Sequence, residues 1–251
     1  MLSRWVRAAV RTSVRIAKRA FDLLAASIGL AVTAPLYPVI AALIYWESPG
    51  DVFFTQRRAG RLLGPAPGST HHFRFQEFEI IKFRTMKLDA EAKTGAVIAA
   101  EDDERVLRIG NFLRRTRLDE LPQLWNVLRG DMSLVGPRPE RPELIDNLAL
   151  AIPFFEERMR GVRPGLTGLA QVSLGYTGRP RPGSKIEAYM SSLTNPFKVD
   201  GAEDALADDM RIKALYDFAY GAAIEDFFPF VRMEAWILWQ TPLAVFRRTG
   251  R

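Results

Sequence analysis

LLAASIGLAVTAPLYPVIAALIYW, from Leu23 to Trp46, is a run of 24 residues without a charged side chain. As a helix, a run of this length can cross a bilayer core of about 30 Å. Pro35 and Pro38 lie in its middle, where each proline removes a backbone N–H donor from the helix. We therefore expect a membrane helix that breaks at Pro35 rather than a straight one.

Cations flank this segment on both sides. Arg57, Arg58 and Arg61 follow it closely, and the preceding residues 1–20 are also basic. Because Lys and Arg near a membrane segment favour the cytoplasmic side, both ends are predicted to lie on the same face. Residues 21–48 are thus predicted to form a re-entrant anchor, helix-break-helix. The alternative is a tilted single span that places the rest of the chain across the membrane.

The basic residues of the N-terminus are concentrated on one side of a predicted helix. At 100° per residue they fall within an arc of about 120°, opposite an apolar face, which is typical of a membrane-surface helix attracted to anionic headgroups. A solvated, disordered leader is the alternative. These cations are Arg4, Arg7, Arg11, Arg15, Lys18 and Arg19.

The charge and the composition exclude several classes of function. The whole chain has 35 Lys and Arg against 29 Asp and Glu, so the six N-terminal cations account for its net charge of +6. Since the excess of positive charge is confined to one end of the chain, a nucleic-acid partner is not expected. The absence of cysteine excludes disulfides and thiolate catalysis, and the only histidines are His71 and His72. A hard cation bound by carboxylates and phosphate oxygens is the expected metal.

Residues 49–251 are predicted to form a compact α+β domain that is predominantly α. Strand-like runs at Val52–Gln56 and Phe78–Met86, separated by Gly-, Pro- and Ser-rich residues 60–70, favour a small antiparallel β-hairpin. Residues 175–205 resemble a loop excursion, and the C-terminal helices carry aromatic residues that suit a bilayer interface. The predicted helices are Asp102–Arg117, Gln123–Arg129, Glu143–Arg160 with an interruption near Pro153, Ala207–Phe218 and Phe227–Phe246.

Asp119 and Glu120 are adjacent carboxylates that lie between clusters of arginine. With Pro122 in the first turn of the next helix, both are expected at a helix N-terminus, which favours anions. Capping is the ordinary role of such a pair. Carboxylates beside fixed guanidinium groups are also what phosphoryl transfer requires, so the residues alone leave both roles open.

From Lys82 to Gly168 the chain resembles the bacterial sugar transferase family, the monotopic polyprenyl-phosphate hexose-1-phosphate transferases. Phe21–Arg58 is similar to the membrane anchor of that family, whose helix breaks at a proline. The loop at residues 61–75 and the segment 174–209 are longer than is usual in the family. The matching motifs are Lys82-Phe-Arg-Thr-Met86, Asp102-Asp-x-Arg105, Gly110-x-Phe-Leu-Arg114-Arg-Thr, Leu118-Asp-Glu-Leu-Pro-Gln-Leu-Trp-Asn126-Val, Arg129-Gly-Asp-Met-Ser-Leu-Val-Gly-Pro-Arg-Pro-Glu140 and Val162-Arg-Pro-Gly-Leu-Thr-Gly168.

The resemblance implies a role for each site residue. Asp119 corresponds to the nucleophile of the family and Glu120 to the residue that supports a Mg²⁺ ion. The residues implied in phosphate and substrate binding are Lys82, Arg84, Arg114, Arg138 and Arg163.

The resemblance also implies the reaction and its place. A sugar-1-phosphate would pass from a UDP-sugar to polyprenyl (undecaprenyl) phosphate through a covalent aspartyl intermediate, releasing UMP in the first membrane step of surface glycan synthesis. The protein would lie in the bacterial inner membrane, in contact with anionic headgroups, with its catalytic domain facing the cytoplasm. The resemblance decides neither which sugar is transferred nor whether the protein forms a homodimer. The alternative from another class is a membrane scaffold that recruits glycan-assembly partners without catalysis.

Overall fold

A computed structural model of the chain describes residues 10–69, 72–88, 90, 103–174 and 206–246. The described residues are mostly helical, with one small antiparallel hairpin, which confirms the predicted α+β class. The helices are α1 (Thr12–Thr33), α2 (Leu36–Glu47), α3 (Arg108–Thr116), α4 (Gln123–Arg129), α5 (Pro142–Ala151), α6 (Leu169–Leu174), α7 (Leu206–Ala223) and α8 (Phe227–Phe246). The strands are β1 (Phe53–Pro65), β2 (Phe73–Phe83), β3 (Ser133–Val135) and β4 (Gly165–Thr167).

Helices α1 and α2 meet at a sharp bend. Their axes differ by 60° at the break between Thr33 and Leu36. The amide of Ala34 still donates to Leu30 O at 2.8 Å, but Pro35 has no amide hydrogen with which to continue the pattern. In the parts of the chain that the structure describes, no helix alone is both long and apolar enough to cross a membrane, whereas this bent pair satisfies both conditions together.

The first helix is bound to the rest of the protein by its polar residues as well as by its apolar ones. Lys18, expected at the headgroups, is instead buried and forms an ion pair with Glu234 at 2.8 Å. Arg19 donates to the carbonyl oxygens of Val127 and Leu128 at the end of α4. The expectation that the cations of residues 1–20 face anionic headgroups is therefore wrong for these two. Arg4 and Arg7 lie outside the described residues.

One hydrophobic core joins the anchor and the domain. Val14 and Ala26 of α1 are fully buried in the same cluster as Val127 of α4 and Ile237 of α8. Since α1 begins at Thr12 and runs unbroken past residue 20, the predicted boundary at residues 20 and 21 falls within a single helix.

The β-hairpin is longer than predicted. The strands pair from Phe53 opposite Phe83 to Pro65 opposite Phe73, so the Gly- and Pro-rich residues 60–65, expected in a loop, belong to β1. Two register shifts after Ala59 absorb these residues, because a bulge allows a strand to continue through a residue that cannot pair regularly. β2 ends at Phe83 rather than at Met86, which forms only an isolated bridge with Val106.

The helix predictions succeed to different degrees. The bounds of α4 and α8 agree with the predicted ones, and α7 extends beyond the predicted Ala207–Phe218. α3 begins at Arg108 rather than at residue 102, because residues 105–107 pair with the chain that follows β2. The predicted helix Glu143–Arg160 consists of α5 and a separate 3₁₀ turn, Phe155–Met159, with the interruption near Pro153 as expected. The predicted excursion at residues 175–205 lies outside the described part.

A two-stranded parallel sheet formed by β3 and β4 was not predicted. Ser133 lies opposite Gly165 and Val135 opposite Thr167. The two strands continue into loops that approach each other closely, since a Cβ added to Gly165 would lie 2.1 Å from the amide nitrogen of Gly136. Only glycine fits there, and the contact fixes the start of the proline-rich loop that carries Arg138.

Candidate active site

The two carboxylates lie in a short 3₁₀ turn, Leu118–Glu120, between α3 and α4. α3 ends because Arg117 adopts a left-handed conformation with φ of 60°. The amide of Glu120 then donates to Arg117 O at 3.2 Å, and Pro122 precedes the first residue of α4. The carboxylates are thus just before a helix rather than at its N-cap, which is occupied by Pro122, and neither makes a side-chain capping bond to α4. This geometry removes the main support for a purely capping role.

Glu120 is the centre of a buried cluster of cations. Its Oε1 lies 3.1 Å from Lys82 Nζ, 3.0 Å from Arg138 and 3.6 Å from Arg117. Burial by itself raises the pKa of Glu120, but the charges of Lys82, Arg138 and Arg117 outweigh it and hold this pKa well below its usual range. Burial also lowers the pKa of Lys82, opposed by Glu120. Glu120 is therefore a permanent anion that organises three cations.

Asp119 is different because one of its oxygens has no partner. The residue is only 6% exposed, and its buried Oδ1 accepts no hydrogen bond. Burial, together with the neighbouring charge of Glu120, raises the pKa of Asp119 to about 6, against the opposing charges of Lys82, Arg117 and Arg114. The carboxylate form of Asp119 is therefore less favoured than in water, because the surrounding cations compensate its negative charge only partly. A buried, anionic and unbonded oxygen has the properties of a nucleophile.

The loop that carries Arg138 is fixed from behind. The guanidinium of Arg158, almost fully buried, donates to the main-chain oxygen of Arg138. It also lies 2.9 Å from Asp217 on α7 and 3.9 Å from Glu140. Arg158 therefore determines the position of the Arg138 backbone, although it does not itself contact Glu120.

The residues predicted to bind phosphate do not all converge on the carboxylates. Lys82 and Arg138 contact Glu120, and Arg114, which donates to Thr85 Oγ1 at 2.9 Å, is close enough to act on the charge of Asp119. Arg84 is buried and donates instead to the side chain and the main-chain oxygen of Ser48, at the end of α2.

Arg163 also has different surroundings. The charged groups that shift its pKa are Arg61, Arg19 and Asp22, which lie towards the other end of α4, and burial together with the two arginines lowers that pKa. Its contact with the phosphates of a substrate remains a prediction from the resemblance.

Three residues of the site were missed at the sequence level. Arg117 belongs to the arginine run before Asp119, and its distance of three residues from Glu120 was the available signal. Arg158 and Asp217 are 59 residues apart in the sequence. No local pattern connects an arginine of a 3₁₀ turn with an aspartate of a helix that packs beside it.

The carboxylates suit a magnesium ion that takes its remaining ligands from a substrate and from water. Among the residues that the structure describes, no three acidic or histidine side chains gather as a complete metal site. Mg²⁺ is commonly held by only one or two carboxylates, with water and substrate phosphates as the other ligands. Glu120, a single carboxylate next to the site of attack at Asp119, matches this incomplete donor set.

A buried carboxylate turn surrounded by cations is an arrangement suited to phosphoryl transfer. The family model described as bacterial sugar transferase matches residues 13–248, so the chain belongs to that family and is an enzyme of the transferase class. The match includes the bent helix pair as well as the carboxylate turn and the loop of Arg138.

Several curated relatives carry names that specify a reaction. A Bacillus subtilis protein provisionally named undecaprenyl-phosphate N-acetylgalactosaminyl 1-phosphate transferase is 49% identical over 57% of this chain and 72% of its own length. An Aeromonas hydrophila UDP-N-acetylgalactosamine-undecaprenyl-phosphate N-acetylgalactosaminephosphotransferase is 40% identical over 81% of this chain but only 38% of its own length. A UDP-glucose:undecaprenyl-phosphate glucose-1-phosphate transferase of Caulobacter vibrioides is 46% identical over 64% of this chain and 55% of its own length. The chain thus covers less than two thirds of the length of each of the last two relatives.

Proposed function

We propose that the chain transfers a sugar-1-phosphate from a UDP-sugar to undecaprenyl phosphate or a similar polyprenyl phosphate. The observation that carries this proposal is the buried, unbonded Oδ1 of Asp119 beside a cluster of cations centred on Glu120. The names of the relatives support both substrates. They differ in the sugar, N-acetylgalactosamine or glucose, so the sugar of this chain is left open.

In the first half of the reaction, Asp119 attacks the phosphorus that bears the sugar. A bond forms between its carboxylate oxygen and this phosphorus, and the bond to the oxygen that bridges the two phosphates breaks. UMP leaves with the electron pair of that bond. Lys82, Arg138, Arg117 and Arg114 supply positive charge, without which a carboxylate could not approach a diphosphate.

In the second half, a phosphate oxygen of the lipid attacks the same phosphorus. The acyl-phosphate bond breaks, the carboxylate of Asp119 is regenerated, and the product is a polyprenyl-diphosphate-sugar. No proton has to be supplied from outside in either half, because each step exchanges one anionic oxygen for another.

Glu120 is the residue that would hold Mg²⁺, next to the attacking carboxylate of Asp119. When bound, the ion would neutralise charge on the diphosphate oxygens. Glu120 also fixes Lys82 and Arg138, so its carboxylate has a role in positioning these cations that is independent of the metal.

The bent helix pair supports a reaction at a membrane surface. Helices α1 and α2 expose large apolar side chains on both sides of the bend, among them Leu24, Val32, Val39 and Trp46. Exposed apolar area on a bent helix pair is what a re-entrant helix would present to lipid. We therefore place the protein in the bacterial inner membrane, with both ends of the pair and the catalytic site on the cytoplasmic side.

Trapping the intermediate tests the nucleophile. The wild-type protein, incubated with Mg²⁺ and a panel of UDP-sugars but no lipid, should gain the mass of one sugar phosphate and release one equivalent of UMP. Asp119→Asn should fold and form no adduct, because a neutral amide is a poor nucleophile. Asp146→Asn, at an aspartate whose side chain is 48% exposed and pairs with His72, is the matched control and should form the adduct normally.

The outcomes separate the candidate functions. An adduct on Asp119→Asn would assign the nucleophile to another residue, with Glu120 the first to test. If the wild-type protein neither gains mass nor releases UMP with any sugar, even when polyprenyl phosphate is added, the scaffold function gains support.

A further inference from the structure

An apolar pocket lies between the bent helices and the domain. Its volume of about 300 Å³ is at the lower end of the range of ligand pockets, roughly 300–1,000 Å³. The pocket has no charged side chain among its lining residues. These are Leu30, Tyr37, Phe53, Ile81, Pro122 and Trp125.

The pocket is connected to both the membrane anchor and the carboxylate turn. Leu30 precedes the bend and Tyr37 follows it, so the pocket borders the part of the anchor that would lie deepest in a bilayer. Pro122 is two residues after Glu120, and Ile81 precedes Lys82 on β2. Because successive side chains of a strand point to opposite faces, Ile81 lies towards the anchor while Lys82 reaches Glu120 on the other face. The first turn of α4 thus connects the pocket with the cation cluster.

We propose that this pocket binds the part of the acceptor's prenyl chain that is close to its phosphate. The inference rests on the proposed function and adds the location of one of its two substrates. An amphiphile with an anionic head and an apolar chain matches a cation cluster that adjoins an apolar pocket. A nucleotide sugar, which is polar throughout, would gain nothing from such a lining.

Trp125 is the most informative residue of the lining. Its side chain is large and apolar but 53% exposed, although it follows Glu120 by only five residues. Contact with an isoprenoid chain would remove much of this surface from water and from bulk lipid. Replacing Trp125 with alanine should therefore raise the KM for the lipid about tenfold or more, since loss of a buried aromatic side chain weakens binding by at least that factor.

The two halves of the reaction allow a test that separates lipid binding from general damage. Trp125→Ala in detergent micelles should form the sugar-phosphate adduct at the wild-type rate with UDP-sugar alone. With undecaprenyl phosphate, its KM for the lipid should rise about tenfold while its KM for the UDP-sugar stays unchanged. Trp125→Phe should recover most of the loss. Trp239→Ala is the matched control, because Trp239 lies on α8, is 73% exposed, and does not line the pocket.

A second measurement does not depend on turnover. Radiolabelled undecaprenyl phosphate should bind the wild-type protein in detergent, bind Trp125→Ala about tenfold more weakly, and be displaced by farnesyl phosphate better than by inorganic phosphate. If the wild type binds in this way but forms neither adduct nor product, the proposed reaction fails while the pocket is retained.

Three results would overturn the inference. The first is an unchanged lipid KM and unchanged lipid binding in Trp125→Ala. The second is equal damage to adduct formation and to lipid transfer, which would make Trp125 a structural residue of the site. The third is displacement of the labelled lipid by phosphatidylglycerol as effectively as by farnesyl phosphate, which would identify the occupant as a bilayer acyl chain.

Discussion

Replacing Asp22 with leucine should lower the free energy of unfolding by about 3 kcal/mol, because two buried donors would lose their acceptor. Asp22 is fully buried, and its Oδ1 accepts from Ser133 Oγ at 2.9 Å and from the amide of Leu134 at 3.0 Å. Each buried donor left unpaired costs about 1–3 kcal/mol, and the added apolar contacts of leucine offset part of the sum. For a chain of this size, 3 kcal/mol corresponds to a fall in Tm of about 6–12 °C.

The same change should affect catalysis, since Ser133 and Leu134 belong to β3, which leads directly to the loop of Arg138. A displaced Arg138 would no longer hold Glu120 correctly, and misplacement of a catalytic group by about 1 Å can reduce the rate about 100-fold. We expect kcat for UMP release to fall about tenfold or more at a temperature where Asp22→Leu is still fully folded.

A double-mutant cycle isolates the interaction. Ser133→Ala alone should cost about 1 kcal/mol, and in the Asp22→Leu background it should cost almost nothing, which gives a coupling energy of about 1 kcal/mol. Asp226→Leu is the control, because Asp226 pairs with Arg11 at the surface and should contribute less than about 1 kcal/mol. The unfolding transition of each variant is measured in the same detergent. A coupling energy below about 0.3 kcal/mol, or a wild-type Tm for Asp22→Leu, would refute the role of Asp22.

The remaining predictions concern charge, backbone and pH. Glu120→Gln should fold, but its rate of adduct formation should fall at least about 100-fold. A neutral amide holds the cations and a metal ion less well than a carboxylate does, and a wild-type rate of adduct formation would contradict this role. Pro35→Leu should restore the helix and shift a reporter placed after Glu47 towards labelling by a reagent confined outside the cell, while the wild type stays protected. Hydrogen bonds from Arg105 lower the pKa of Asp103 to about 2, so this interaction stabilises the fold above pH 4 or so and is lost as the pH falls towards about 2. The difference in Tm between wild type and Asp103→Asn should therefore shrink over that range, and a difference that is constant with pH would exclude the ion pair.

The sequence was sufficient for features that depend on local chemistry. The bend at Pro35 follows from the missing amide hydrogen, and α4 begins after Pro122 and ends at Gly130, whose φ is 89°. The predicted bounds of α8, a largely apolar segment, also agree with the structure at both ends. Asp119 and Glu120 could be selected only with the help of the resemblance, since a buried and unbonded oxygen has no signature in the sequence.

Features that depend on distant contacts could not be predicted in the same way. β3 and β4 have only three residues each and are stabilised by partners about thirty residues away, so no alternating pattern could develop. Arg84 belongs to the same motif as Lys82 but follows the end of β2, where the chain turns towards Ser48. The motif specified a basic residue, and only the path of the chain determined which acceptor it meets.

The structure gives a physical reason to treat the anchor and the catalytic domain as one folding unit. Lys18 and Asp22 are buried on the same helix, and a buried charge is tolerated only when it is paired or hydrogen-bonded. Their partners, Glu234 and β3, belong to the domain. At the other end of the anchor, the carboxylate of Glu47 accepts hydrogen bonds at 2.7 and 2.9 Å from the first two amides of α3, the helix that ends beside Asp119. Both sides of the active site are thus attached to the bent helix pair, and the position of the cations around Glu120 depends on contacts with the same helices that are proposed to lie in the membrane.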